Sequence, residues 1–579
     1  MKRKTSPKPC IVHKYGCWAP TANVERVDEQ ILLGHQMHNE LVEAEHKNRE
    51  TYRNLLEQDS ELNVLTARLN ALKSEAEALR VLIKKKRSTV RQRKVDTSTE
   101  KERLAAIKAE RKELSPKLKE ARVAARERLK VEVGALQEQE KAKTVEIRRA
   151  YAAKGLFWPT YNAVIESAES GKKKTRKTGV LPHFHRFDGS GRICFQVQGG
   201  LPVEQLFTAN RRIELDPVPE GSWNTRHGRR HGTKTVMRFR VGSDENRAPI
   251  FAELPINIHR PFPPGAICKS AQVNRRRVGR HFVWTAQFTL ELPAAARPRP
   301  MRRMVALDLG WRKRGDAYRC AYSYDHDGKH AEVLLPADYC ATYPHLDSLA
   351  SIRGDNFQAI RDQLVKYRQE NEQDVPTWFK TETRHMYQWR APRKMTRLLG
   401  LWSRPGHRFD GDAVPFEALK AYVKQDLHLW DWESRKRRNV AGRRNDLFAN
   451  IAAQIARDYD VVFVEDINWR DDIKKAAVED DKDRQTDEMR RAKAICAPGS
   501  LVHAIANAMA KNGGHLVRVD PAKTTRICHV CDHDGEWDQA KLDHTCKNCG
   551  HTWDQDHNAA INIFRWGLNQ CEGDVKKAA

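Results

Sequence analysis

The sequence predicts a multidomain α+β protein: a long helical hairpin, a β-rich barrel, and an α/β lobe carrying an inserted zinc ribbon. Three observations predict it. At 579 residues the chain exceeds what one hydrophobic core serves. Its apolar period changes from a heptad in residues 24–153 to two in residues 180–292. Two Cys-x-x-Cys pairs, Cys528 with Cys531 and Cys546 with Cys549, stand fourteen residues apart.

Residues 1–23 carry aromatics and turn formers (Tyr15, Trp18, Pro20) and read as an arm or first strand. From Val24 to Lys94 the pattern is helical. Leu62, Leu65, Leu69, Leu72, Ala76, Leu79 and Ile83 follow a heptad seam. A turn follows near residue 96, and Thr99 with Glu102 form a capping box for the next helix. That helix is expected to break near Ser115 and Pro116 and to run on to Ala153. The short turn lets both arms pair within one chain. Ile193, Phe195 and Val197 alternate, as do Trp284, Ala286, Phe288 and Leu290, with turn residues between the runs, which reads as a small barrel. A Pro- and Ala-rich linker ends near residue 300. Two apolar strands follow, at residues 304–310 and 461–466, separated by helices. Residues 471–491 are dense in both charges and read as a mobile loop or lid.

A net charge of +28 and a pI near 9.6 mark a polyanion partner. The cations cluster: Lys84, Lys85, Lys86 and Arg87; Lys172, Lys173 and Lys174; Arg275, Arg276 and Arg277. These are candidate contacts to a nucleic-acid backbone. Apart from the two pairs, the cysteines have no framework spacing, which fits a reducing cytosol. No apolar leader or run of eighteen apolar residues is present, so a cytoplasmic protein without a membrane partner is expected.

Short loops within each cysteine pair let four thiolates reach one tetrahedral zinc ion. Such a closed site is structural, and His529 and His533 read as surface residues. Three acids carry a different chemistry. Asp308 and Glu465 each end an apolar strand, and Asp556 begins a small-residue helix just after the ribbon. Carboxylates suit hard divalent ions, and two Mg²⁺ ions about 3.5–4 Å apart can serve phosphodiester hydrolysis. Asp466 would face the other side of its strand, and Asp554 precedes the helix start.

These residues resemble the RNase H-like RuvC nuclease domain of TnpB transposon proteins and compact type V CRISPR effectors. The likeness rests on Asp308-Leu-Gly, on residues 464–468, on residues 521–528, on the ribbon and on Asp556-His-Asn-Ala-Ala-Ile-Asn562. Residues 183–191 and 307–312 resemble subtype V-M. The resemblance implies a first wedge strand in residues 1–23, a helical recognition domain at 24–153, a β-barrel wedge domain and linker at 154–300, a RuvC-like domain at 301–520, a target-nucleic-acid-binding zinc ribbon at 521–553, and the end of the RuvC-like domain at 554–579. It also implies a guide RNA, a matched double-stranded DNA target beside a short flanking motif, structural Zn²⁺, catalytic Mg²⁺ on Asp308, Glu465 and Asp556, and a monomer with RNA. The centre would cut target DNA, process guide RNA, or both. Two alternatives stay open: binding that silences without cutting, and a TnpB-like transposon-encoded nuclease. A purely structural zinc-ribbon DNA-binding protein leaves Asp308 and Glu465 unexplained.

Overall fold

The computed structural model describes residues 10–88, 97–208, 213–218, 225–226, 229–230, 233–293, 299–467, 487–535 and 541–578. The chain divides into two compact units. One comprises Ile11–Arg276 with Val283–Leu290; the other comprises Arg277–Phe282 and Glu291–Ala579, together with Met1–Cys10.

The first unit begins with strand β1 (Cys10–Cys17) and continues in helices α1 (Val24–Glu57), α2 (Ser60–Ser88), α3 (Ser98–Arg128), α4 (Lys130–Ala153) and α5 (Trp158–Thr178). Helices α2 and α3 pair as an antiparallel hairpin. Leu62 packs with Leu118, Ala121 and Ala125, and Leu72 and Ala76 pack with Ile107. Arg128 with Asp59 at 2.7 Å, and Arg103 with Glu75 at 2.6 Å, pin its register. Two expectations are corrected here. The first helix breaks at Gln58 and Asp59, so it is two helices. The second runs through Pro116 and breaks instead at Leu129. Pro116 is exposed in mid-helix, so the backbone acceptor it leaves faces water. The capping box is also absent: α3 starts at Ser98, after Thr97, with no side-chain cap. Helices α1, α4 and α5 share a separate core of Leu33, Met37, Leu41, Ile147, Tyr151, Leu156 and Val164.

Strands β2 (Gly191–Pro202), β3 (Ile213–Leu215), β6 (Thr233–Ser243), β7 (Pro249–Ile258), β8 (Ile267–Val278) and β9 (His281–Glu291) join β1 in a seven-stranded sheet. Its order is β2-β8-β9-β1-β7-β6-β3, and β4 (Thr225–Arg226) with β5 (Arg229–Arg230) forms a separate ribbon. Alternate residues Trp284, Ala286, Phe288 and Leu290 are buried, as a one-sided core requires.

The second unit centres on a five-stranded sheet of β10 (Met304–Arg314), β11 (Ala317–Asp325), β12 (His330–Leu335), β13 (Val461–Glu465) and β14 (His515–Val519). Its order is β12-β11-β10-β13-β14. The first three strands are antiparallel, whereas β10, β13 and β14 run parallel. Between β12 and β13 come α6 (Ala337–Cys340), α7 (Thr342–Glu370), α8 (Thr377–Thr383), α9 (Arg393–Trp402) and the long α10 (Ala413–Asp458). Helices Asp487–Cys496 and Pro498–Asn512 precede β14, and a last helix spans Gln555–Ala578. Most of the charged 471–491 segment lies outside the described residues; the part from Asp487 is helical.

Helices cover both faces of this sheet. Val305, Leu307, Leu309, Val462 and Val464 face Phe448 and Ala452 of α10 and Leu501 and Ile505 of the helix before β14. Ala306, Val461 and Phe463 face Ile563 and Phe564 of the last helix. Gly567 lets that helix lie close, since an added Cβ would come within 2.3 Å of the Phe463 ring. Among the described residues, no helix is long and apolar enough to cross a membrane.

Candidate functional site

Strand periodicity decides where the acids point. Ala306 and Phe463 face the last helix, so two residues on, Asp308 and Glu465 face it too. The parallel register puts Leu307 beside Val464, which brings Asp308 next to Glu465 at the end of β13. The expected strand end at residue 310 is corrected, since β10 runs on to Arg314 in its ladder with β11 and Asp308 sits in mid-strand. Asp556 lies in the first turn of that last helix. The three carboxylates thus come from two adjacent strands and one helix start. All are buried.

Arg319 of β11 is 1 % exposed, the most deeply buried cation here. Its guanidinium reaches Asp554 at 2.9 Å, Asp556 at 3.2 Å and Glu332 at 3.3 Å. Arg312 adds a second cation 3.5 Å from Asp556. Burial, with the Asp556 and Glu465 carboxylates beside it, holds the Asp308 carboxyl well above the usual range, while Arg319 and Arg312 pull it back. Burial also raises Glu465, against a hydrogen bond from the Thr524 hydroxyl at 2.6 Å. Asp556 is raised by burial and lowered by the two arginines. Three buried acids, each held above its ordinary value, are poised for added positive charge.

Asp554 caps the last helix. Its Oδ1 accepts the N–H groups of Asp556 at 2.8 Å and His557 at 3.3 Å. Asp466 turns away: its side chain pairs with Arg518 at 3.1 Å and stays exposed.

The cysteines form the second centre. The Sγ atoms of Cys528, Cys531, Cys546 and Cys549 all lie within 4.8 Å of one another; among the described residues this is the one His, Cys, Asp or Glu group so spaced. The Cys528–Cys549 and Cys531–Cys546 separations are 3.7 and 3.6 Å. A tetrahedron with Zn–S bonds of about 2.3 Å has edges of about 3.8 Å, so the four thiols fit zinc. The two knuckles repeat one design. The Cys528 N–H donates to the His533 carbonyl at 3.0 Å, and the Cys546 N–H to the His551 carbonyl at 2.9 Å. Each turns through a positive φ, at Asp532 and at Gly550. Strands β15 (Asp543–Thr545) and β16 (Thr552–Asp554) complete the ribbon.

The two centres are joined by side chains that sequence patterning did not single out. Asn562 donates to the carbonyls of Thr524 at 2.9 Å and Ile527 at 2.7 Å. Asn558 donates to the Ile527 carbonyl at 2.8 Å and accepts the His529 N–H at 2.9 Å. Both asparagines are buried, four residues apart on one helix face. His529 is therefore half-buried against the last helix rather than a surface residue, while His533 is exposed. The i, i+4 spacing of Asn558 and Asn562 was the available signal. A lone arginine in a strand, like Arg319, offers none.

The basic runs behave unevenly. Arg275 is not a free contact: it is buried, ion-paired with Asp28, and its guanidinium stacks on Trp284. Lys172 is tied to Glu140 at 2.7 Å, with its side chain mostly covered. Those two expectations are corrected, because an ion pair already satisfies each charge. Lys173, Lys174, Arg276 and Arg277 are exposed. Lys84, Lys85, Lys86 and Arg87 lie on α2, but their side chains fall outside the described residues.

The family model for the Cas12f1-like TNB domain matches residues 499–563, which span the ribbon and the start of the last helix. Among similar proteins, the CRISPR-associated DNA-binding protein Cas12m of Thermanaerosceptrum fracticalcis is 33% identical, over 76% of this chain and 74% of its own. That of Allomeiothermus silvanus is 32% identical over 76% and 82%. That of Pelobacter propionicus is 28% identical over 97% and 88%. A solved complex of Cas12f1 with guide RNA and target DNA aligns with 96% of this chain at 11% identity and a TM-score of 0.36. With two relatives above 30% identity across three quarters of its length, the chain belongs to the Cas12m family of type V CRISPR-associated proteins.

Proposed function

We propose that this chain is an RNA-guided effector that binds a matched double-stranded DNA target beside a short flanking motif, and that its second unit holds a RuvC-like centre for phosphodiester hydrolysis. The observation that carries the centre is the convergence of Asp308, Glu465 and Asp556 from β10, β13 and the last helix onto one buried spot. The sheet order, with three antiparallel strands followed by two parallel ones, supports an RNase H-like reading of residues 301–520 and 554–579. The names of the relatives support DNA binding.

In this reading guide pairing reads the sequence, while the protein holds the duplex backbone. The helical region 24–153 and the wedge, residues 154–300 with the first strand in residues 1–23, grip the nucleic acid, and the ribbon at 521–553 contacts the target. Asp308, Glu465 and Asp556 would hold Mg²⁺. Such ions, when bound, would supply activation of water and charge stabilisation at the leaving oxygen. Thr524 orients Glu465, and Asp554 sets the helix start that presents Asp556. Asn558 and Asn562 couple that start to the zinc ribbon.

A second reading has its own support. Arg319 and Arg312 already neutralise Asp556, and the relatives are named for binding rather than cutting. The centre would then serve guide RNA processing or stand idle while the bound complex blocks transcription. One assay separates the readings. Guide-loaded protein is incubated with matched duplex and Mg²⁺, and shift and strand breaks are scored together. Breaks that vanish in Asp308→Ala support cutting. Shift without breaks supports the roadblock. Absence of a guide-dependent shift overturns both.

A further inference from the structure

Helices α7 to α10 enclose an aromatic core of their own, with Phe379, Trp389, Trp402 and Phe416 buried together. Helix α9 supplies Met395, Leu398 and Trp402 to it. Its opposite face is different. At 3.6 residues per turn, Arg393, Arg397, Gly400 and Arg404 fall within an arc of about 60°, and all four are exposed. Arg404 follows just past the helix end, continuing the ridge.

The charge around this ridge is one-sided. From residue 384 to 408 the chain carries Arg384, Arg390, Arg393, Lys394, Arg397, Arg404 and Arg408, and no carboxylate. Arg397 has a surface pair with Glu382 at 3.2 Å, and Arg408 pairs with Asp412 at 2.8 Å. Among the described residues, Arg393 and Arg404 make no ion pair. Arg408 does support the core beneath, through Asp412, which accepts the buried Trp402 Nε1–H at 2.8 Å. The ridge arginines lie on the other side of α9, whose inner face closes that core with apolar side chains.

Gly400 sharpens the point. A glycine inside a helix costs about 1 kcal/mol relative to alanine. A Cβ there would meet nothing within 4 Å, so internal packing does not require it. A bare backbone between arginines suits the close approach of something outside the protein.

The shape of the ridge selects its partner. The ridge is convex and helical, and the B-form major groove is about 12 Å wide and admits a helix. The A-form major groove is deep and narrow and does not. Guanidinium groups match phosphate oxygens in pairs. We propose that the α9 ridge, Arg393, Arg397 and Arg404 around Gly400, docks against the phosphate backbone of B-form DNA lying outside the guide–target hybrid. This rests on the RNA-guided DNA-binding reading above.

The test uses the full chain loaded with guide RNA and a fluorescent matched duplex carrying long flanks, titrated across salt. Variants are first shown to melt with the wild type. The triple variant Arg393→Ala, Arg397→Ala, Arg404→Ala should bind about 10- to 100-fold more weakly at low salt. Its log–log salt slope should fall by about 2–3, near 0.9 per phosphate contact. Gly400→Leu, which favours the helix, should still weaken binding by several-fold. Guide RNA affinity should not change, and trimming the flanks should erase the difference from wild type. A wild-type slope in the triple variant, or wild-type affinity in Gly400→Leu, would overturn the ridge alone. An equal loss of guide RNA affinity would assign the ridge to RNA and overturn it too. A wild-type chain that ignores the matched duplex would overturn this proposal together with the reading beneath it.

Discussion

Arg319 places a permanent positive charge inside the acid cluster, where almost no water reaches it. A buried charge of this kind is held by its partners, and removing it leaves them uncompensated. Arg319→Ala should therefore destabilise the protein by about 3–5 kcal/mol; a chemical denaturation midpoint equal to wild type would contradict that. Asp308 carries the opposite expectation. Its carboxyl is raised in the folded chain, so the fold holds a proton that the unfolded chain releases above about pH 4. The cost grows by about 1.4 kcal/mol per pH unit as the pH climbs from the unfolded value to the folded one, and stays constant above it. Asp308→Asn should thus melt higher than wild type at pH 8 without Mg²⁺, and the advantage should vanish near pH 4. Adding Mg²⁺ should raise the wild-type melting temperature and leave Asp308→Asn unmoved. A lower melting temperature for Asp308→Asn at pH 8 would sink this account. The three acids were legible because Asp308 and Glu465 each follow an apolar run and Asp556 opens a small-residue helix just after the ribbon. Arg319 and Thr524 were not, because their roles exist only once distant segments meet.

At the scale of elements, local patterns read well and breaks read poorly. The α2–α3 seam follows its heptad positions, and its core residues pack within one chain. The break at Gln58 and Asp59 carries no Gly or Pro to announce it, while the exposed Pro116 announces a break that does not occur. The cysteine ligands were legible because their spacing is short and geometric. Their coupling to the last helix, through Asn558 and Asn562, was not. That coupling makes a prediction. Purified protein should hold one zinc per chain by elemental analysis, and Cys546→Ser should lose it. Loss of zinc should also increase hydrogen exchange at residues 524–529 and at the start of the last helix. Unchanged protection there would mean that ribbon and helix are independent. Gly567 gives a second test of the same helix. Gly567→Ala would press a methyl into the Phe463 ring and should cost about 1–3 kcal/mol, read from thermal melts.

Across the molecule, a charge of +28 is shared between exposed runs and buried pairs. Composition predicts a polyanion partner, yet it does not say which cations remain available. Arg275 and Lys172 are spent on Asp28 and Glu140, whereas on the α9 ridge Arg397 has only a surface pair with Glu382. Family membership and the converging acids then point to one central claim, guide-directed recognition of DNA. The most direct measurement is the affinity of the guide-loaded chain for a matched duplex against a duplex mismatched next to the flanking motif, at one fixed salt concentration. The account predicts tight binding to the matched duplex, lost without guide RNA and weakened strongly by the mismatches. Equal affinity for both duplexes, with or without guide, would contradict it.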